Sequence, residues 1–369
     1  MNQRKNELKV LFVQDSTPCI RTIKIASALK SNGLDIHLAH QGRTPDQAYG
    51  FGSSAFTTLN KLPKYKFFES GFIKDLIIKH NIQFIHFHNE PDRLGAKLIS
   101  AKLGIPVVYD QHDFMSFKHK LSRKDSKYEA ICNEQADASV YITCTYKAEV
   151  AKYYNLIDNS ICFANYFPIE NKLEQEQFLP KLSAKDGKCH LVYIGRISEH
   201  KNDHRNIIDA MKILSDKGFV IHIYPSKNKE YNIYKSIPNL FIHSKLPYNE
   251  LIKEISQYDY GLSIFSDAIA KKLPHIQYAL GNKNYDYICA GIPVLVQELL
   301  VESREFIVKN DFGLILDDKS PDSLPQAEQY QNIVKNILEG RDAFSMENQI
   351  SRLIDHYYNT MLNFNNQSK

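Results

Sequence analysis

The chain has no CxxC pair, no GxxxxGK(S/T) loop, no GxGxxG turn after a predicted strand and no tryptophan. The missing glycine motifs exclude P-loop and dinucleotide fingerprints. The six cysteines, Cys19, Cys132, Cys144, Cys162, Cys189 and Cys289, sit mostly in apolar contexts, so reduced thiols are expected and a disulfide framework is not. No run approaches the length of a membrane span. The opening, MNQRKNELKVLFVQD, passes from a polar lead into a strand without the apolar block of a signal peptide, so a cytoplasmic protein is expected. A net charge of +4 is too small at this length to point to a nucleic-acid partner, yet it permits weak attraction to anionic lipid or anionic substrates. No short repeat or low-complexity tract occurs, which argues against solenoids and propellers.

What is present is an ordinary globular composition, 43% hydrophobic and 24% charged, over 369 residues, enough for two domains with sizeable cores. Apolar strand-like runs fall at residues 10–13, 36–39, 84–87, 107–109 and 139–142. Helical spacing fills the intervals at 22–31, 70–79, 93–103, 126–136 and 146–154. Repeated strand–helix units of this kind build a doubly wound parallel sheet with ligands at the carboxyl ends of its strands. The pattern breaks at FPIENKLEQEQFLPKLSAKDGK, then restarts with strands expected at 190–194, 220–224, 240–243, 261–265, 294–296 and 313–316. The expected organisation is therefore a first domain over 1–168, a connection over 169–188, a second domain over 189–345 and a terminal helix over 346–369. Two roles are open to that helix, lying back across the first domain or resting on a membrane surface. Its polar face is not strongly basic, which favours the first.

Three segments carry chemistry. In KNYDYICAGIPVLV, residues 283–296, Asn282 is placed to cap a helix, Lys283, Asn284, Asp286 and Tyr287 occupy its start, Gly291 ends it and Pro293 opens a buried strand. A helix N-terminus beside strand ends attracts phosphate, and a lysine in its first turn reinforces that. In HLVYIGRISEHK, Gly195 lets a ligand approach the backbone while Arg196 and Lys201 can clamp a diphosphate whose charge grows as its bond to a sugar breaks. A solvated loop is the plainer reading of that segment. The third concentration is His86, His88, Asp110, His112 and Asp113 at the ends of two neighbouring strands. His88 and His112 are expected to border a cleft, with Asp113 orienting His112 or acting as a base, and His86 as a packed strand histidine. His86, His88 and a carboxylate make a zinc-type donor set, but no HxxxH or cysteine–histidine pattern supports it, and no metal is expected.

Taken together, GRISEHK, YDYGLSIF and KNYDYICAGIPVLV resemble, in order and spacing, the nucleotide-sugar half of family 4 glycosyltransferases, whose GT-B fold has two facing Rossmann-like domains. The resemblance implies that Gly195, Arg196 and Lys201 meet the donor diphosphate, that Asp286 binds the donor ribose, and that Lys283 faces the diphosphate, with Asn284 and Tyr287 beside them. In the first half, residues 86–114 resemble the family's acceptor domain, where His112 matches a turn histidine and His88 lies on the acceptor side. NEQADASVYIT and ANYFP resemble the run into the hinge. The implied activity is transfer of a sugar from a nucleotide-diphosphate sugar, as substrate and without further cofactor, to a glycan or lipid-linked acceptor. Arg196, Lys201, His112 and Asp113 are the catalytic candidates. The family further implies retention of anomeric configuration, and analogy adds a role in bacterial surface-polysaccharide synthesis with peripheral contact at the inner membrane face.

Two departures stand out. Tyr278 occupies the position of the family's first acid, and QDSTPCIRT, residues 14–22, replaces its glycine-rich turn. No DxD triplet occurs, consistent with a diphosphate held by cations rather than by a divalent metal. Two other readings share the architecture: a sugar-nucleotide epimerase or hydrolase, which would turn over donor without acceptor, and a non-catalytic binding protein, which would show no turnover at all.

Overall fold

A computed structural model describes residues 8–278, 280–316 and 327–367. The polar lead before Leu8 lies outside them. The chain forms two compact units, one running to Ala164 and taking in the segment from Met346 onward, the other Asn165–Ser345. Residues 169–188, expected as a connection, belong to the second unit.

The first unit holds seven parallel strands, β1 (Lys9–Gln14), β2 (Asp35–His40), β3 (Thr58–Lys61), β4 (Phe84–His88), β5 (Val107–Gln111), β6 (Ala138–Tyr141) and β7 (Ser160–Cys162), in the order β3-β2-β1-β4-β5-β6-β7. β1, β4 and β5 are buried almost throughout, as expected for strands covered on both faces. The order reverses between β1 and β4, so crossovers leave that junction in opposite directions and open a crevice at its carboxyl end. Register places Gln14 beside His88 and His88 beside Asp110 there. β3 and β7 were not legible as strands because each is a short edge strand without an apolar run.

The helix Met346–Gln367 belongs to this unit. Its apolar stripe, Ile350, Leu353, Ile354 and Tyr357, is buried. Tyr357 packs its ring 4.6 Å from that of Phe84 and shares a hydrogen bond with His86, and Asn159 donates to the Thr360 hydroxyl at 3.0 Å. The face that could have met a membrane is spent on protein. Among the described residues no helix is long and apolar enough to cross a membrane.

Cys144 and Cys162 form a disulfide, a correction to the expectation of six reduced thiols. Cys144 begins the helix after β6 and Cys162 ends β7, the strand paired with β6, which brings their Cα atoms to 5.5 Å. That lies within the range a disulfide needs.

The second unit repeats the plan with β8 (His190–Gly195), β9 (Val220–Pro225), β10 (Leu240–Ile242), β11 (Tyr260–Ser263), β12 (Val294–Gln297) and β13 (Gly313–Leu316), ordered β10-β9-β8-β11-β12-β13. Its reversal falls between β8 and β11. Gly261 in β11 is required by close approach: an added Cβ would lie 2.3 Å from the ring of Tyr287.

Three imidazoles cross this sheet as a ladder, His190 to His222 at 2.9 Å and His222 to His243 at 2.9 Å, with Asp186 on His190 at 3.1 Å. Burial, reinforced by its two neighbours, lowers the pKa of His222 from 6.5 to about 3. The folded state thus prefers neutral His222, so its contribution is intact above pH 6.5 and is lost as pH falls toward 3. We expect the melting temperature to decline on acidification from pH 6.5 to 4, and to decline less in His222→Phe. Parallel acid curves for the two proteins would contradict this assignment.

Candidate active site

In the second unit β8 ends at Gly195, whose φ of +116° is open to glycine and strained for other residues, and an added Cβ there would meet nothing within 4 Å. The loop that follows is ordered by its own hydrogen bonds. Ser198 N–H donates to the Arg205 carbonyl at 3.1 Å, and the Tyr234 hydroxyl donates to the Ser198 carbonyl at 3.1 Å. Arg196 and Lys201 stand exposed on it.

The helix Asn282–Cys289 begins after Gly281, which provides no side-chain cap, so the capping role expected of Asn282 is not realised. It ends as expected. Gly291, at φ +72°, sends its N–H to the Ile288 carbonyl while Ile292 N–H reaches the Tyr287 carbonyl, a Schellman closure.

Helical spacing divides the expected donor residues. Asn284 is fully buried and donates to the Ser303 hydroxyl at 2.9 Å. Tyr287 is fully buried too, its hydroxyl accepting from Ile194 N–H and donating toward the Val192 and Leu262 carbonyls. These two fasten the helix to its neighbours, and the Asn284 Oδ1 is buried without a hydrogen-bond partner. Lys283 and Asp286, three apart, share a different face. Asp286 accepts a hydrogen bond from the Tyr248 hydroxyl at 2.5 Å. Lys283 Nζ is buried without a hydrogen-bond partner, 4.0 Å from the ring centroid of Tyr193 and 4.9 Å from that of Phe265. Those rings stand near the carboxyl ends of β8 and β11, at the reversal of strand order. Burial above all, then the nearby Arg205, lowers the Lys283 pKa from 10.5 to about 7. Arg205 was missed from sequence, although it follows Arg196 and Lys201 on one strand–helix loop. Tyr278 is partly exposed just after the short helix Pro274–Gln277.

In the first unit the polar cluster centres on Asp110. Arg21, from the helix Ile20–Ser31, forks onto it with Nε at 3.2 and 3.1 Å and Nη2 at 3.0 Å. His86 Nε2 lies 3.1 Å from the same carboxylate, His88 Nδ1 3.4 Å and His112 Nε2 3.6 Å. Burial opposes the charge, but Arg21 and His112 hold the Asp110 pKa well below the usual carboxylate range. His86, His88 and Asp110 place one donor atom each within 4.8 Å of one another. Arg21 already supplies the cation this carboxylate needs, so a metal ion there would sit against a guanidinium.

His88 is fully buried, its Nδ1 3.0 Å from His112 Nε2 and its Nε2 without a hydrogen-bond partner. His112 Nδ1 lies 3.5 Å from the sulfur of Cys19, at the start of the helix Ile20–Ser31. Burial would lower the His112 pKa, but Cys19 and Asp110 outweigh it and raise it to about 10; reciprocally, burial would raise Cys19, while His112 and Thr22 bring it to about 6. Each group thus shifts the other toward thiolate and imidazolium. A doubly protonated imidazole donates hydrogen bonds but takes no proton, so the cluster presents His112 as a donor. The Asp113 carboxylate is engaged by Lys118 at 2.8 Å, which also holds Glu90 at 2.6 Å. Asp110 and Cys19 stand at the two ring nitrogens of His112. Cys19 lies in the turn that departs from the family pattern, the one signal in sequence that could have found it.

Residues 20–162 match the family model described as Glycosyltransferase Family 4. The matched stretch lies within the first unit. Among curated proteins none matches. A glycosyltransferase from Rickettsia africae ESF-5 is similar in structure with a TM-score of 0.70 at 13% identity, over 96% of this chain and 99% of that one. Anabaena Alr3699/HepE, in complex with UDP, gives 0.61 at 14% identity, over 98% of each chain. Sucrose-phosphate synthase from Thermosynechococcus elongatus gives 0.60 at 12%, over 98% of each chain. These likenesses show the GT-B fold.

A test of the cluster follows from its charges. His112 should remain protonated through pH 8 by NMR of its ring nitrogens, and Cys19→Ser should lower its titration midpoint. An ordinary histidine midpoint in the unmodified protein would overturn the thiolate–imidazolium pair.

Proposed function

We propose that this protein transfers a sugar from a nucleotide-diphosphate sugar to an acceptor hydroxyl. The observation that carries the reading is Lys283, an ammonium withdrawn from water between two aromatic rings with no hydrogen-bond partner. Such a group costs stability until an anion joins it. A diphosphate entering the β8–β11 crevice would supply that anion, keep Lys283 protonated and lie within reach of the Gly195 backbone. Arg196 and Lys201, exposed on the adjoining loop, then gather on the departing phosphate as negative charge develops. Asp286 binds the ribose hydroxyls. That Anabaena Alr3699/HepE was crystallised with UDP and with UDP-glucose supports a nucleotide-sugar donor here.

On the acceptor side the reading assigns His112 to hydrogen-bond the incoming glycan or lipid-linked acceptor as a cationic donor. Retention of configuration and a place in surface-polysaccharide synthesis belong to the same proposal, by likeness to the family.

A thermal-shift panel of nucleoside diphosphates and their sugars tests the donor site, since a ligand that binds only the folded state raises its stability. Lys283→Met should raise the melting temperature of the unliganded protein and weaken donor binding by about 2–5 kcal/mol, the usual cost of truncating one partner of a buried charge pair. The pH dependence has a definite sign. Unliganded Lys283 titrates near 7 and the bound form is protonated, so affinity for a nucleotide sugar is full below pH 7 and falls above it. The fall is roughly ten-fold per pH unit while only the bound form holds the proton. In Lys283→Met the profile should be flat. Donor affinity that ignores both pH and this substitution would sink the assignment, and sugar release without acceptor would favour a hydrolase.

A further inference from the structure

The turn between β3 and the helix Glu69–His80 exposes five consecutive residues, Lys64, Tyr65, Lys66, Phe67 and Phe68. Phe67 is 87% exposed, Tyr65 70% and Phe68 58%, and Ile78 on the following helix is 71% exposed. Such exposure is out of proportion for rings of this size in a folded unit, and it is contiguous rather than scattered.

The turn is held in shape, so the rings are presented rather than loose. Phe68 N–H donates to the Tyr65 carbonyl at 3.1 Å, Lys97 Nζ to the Lys66 carbonyl at 3.0 Å, and the Gln41 side chain to the Pro63 carbonyl at 3.0 Å. The rings of Phe67 and Phe68 meet edge to face at 5.5 Å. Along the turn itself the charge has one sign. Between Asp46 and Glu69 the sequence has no acidic residue, while Lys61, Lys64 and Lys66 are all exposed. Glu69 itself is buried and committed to Arg93 at 2.7 Å and Lys97 at 3.6 Å. On the helix beyond, exposed Lys74 and Lys79 flank the exposed Asp75 and Ile78.

We propose that this turn is a membrane-contact surface, its rings entering the interfacial layer of an anionic bilayer and its lysines pairing with lipid headgroups. Aromatic rings favour the boundary between headgroups and acyl chains, and each lysine close to an anionic surface adds an attraction that salt screens. A protein partner would be expected to offer acids for the lysines and pockets for the rings. A bilayer provides both chemistries over a continuous surface, which suits rings and cations that alternate along one short turn. The surface belongs to the first unit, whereas Lys283 belongs to the second. The proposal goes beyond the transferase reading and does not depend on it, because vesicle binding is read without donor or acceptor.

Co-sedimentation of the full chain with vesicles of phosphatidylcholine alone, and of phosphatidylcholine and phosphatidylglycerol in equal parts, tests it. Binding is expected to the anionic vesicles, with little to the neutral ones, and to weaken as salt rises. Removing a lysine should weaken binding about five-fold, and the charge reversal Lys64→Glu with Lys66→Glu should abolish the preference for anionic lipid. Phe67→Ser with Phe68→Ser should lower binding at least about ten-fold, since it removes two side chains that would be buried. All four positions are exposed, and unchanged melting temperatures will show that the variants fold. Equal binding to both vesicle types, no binding to either, or full binding by both double variants overturns the proposal. So does a doubling of molecular mass in solution that the phenylalanine variant abolishes, because the turn would then be a contact between copies of this chain.

Discussion

Parallel pairing with a reversal of strand order is the constraint on which the rest depends. In each unit the chain lays down three strands in one direction from the centre and then returns to the other side of the first, so β1 lies against β4 and β8 against β11. Crossover connections leave the two sides of each junction in opposite directions and cannot cover it. The carboxyl ends of those four strands are therefore where polar groups can gather without interrupting a core. Both candidate clusters lie at these places.

The two crevices are filled differently. In the first unit a buried carboxylate is surrounded by Arg21, His86, His88 and His112, and a second anion, Cys19, completes the charge balance. A buried group with this many partners is locked in place, and removing one partner would leave the others uncompensated. In the second unit the Lys283 Nζ is buried with rings around it and no hydrogen-bond acceptor. One cluster is largely complete in itself and can only offer a fixed donor to a ligand. In the other the Lys283 ammonium has no hydrogen-bond acceptor, which is the physical basis for assigning the diphosphate to it.

The alternation of apolar runs and helical spacing made most strands and the larger helices legible, because buried parallel strands read as short apolar blocks. β3 and β7 escaped that signal because edge strands need not be apolar, and with β7 went the adjacency that joins Cys144 to Cys162. At the site, the residue types in KNYDYICAGIPVLV and GRISEHK were legible as donor chemistry. Which of them faces inward was not. Asn284 and Tyr287 belong to packing, while Arg205 stands close enough to Lys283 to lower its affinity for a proton.

By itself the sequence determined the two-sheet plan, the glycine that closes the helix at Gly291 and the stock of cations and histidines near the strand ends. These follow from local periodicity and backbone conformation, which a short segment carries within itself. Only the tertiary structure decided their electrical state. The charge on His112 is held by Cys19, 93 residues away in the chain, and by a carboxylate fixed through Arg21. The lowered proton affinity of Lys283 comes from burial against Tyr193 and Phe265. A titration equilibrium depends on the solvent and charges within a few ångströms, and folding alone determines which groups those are.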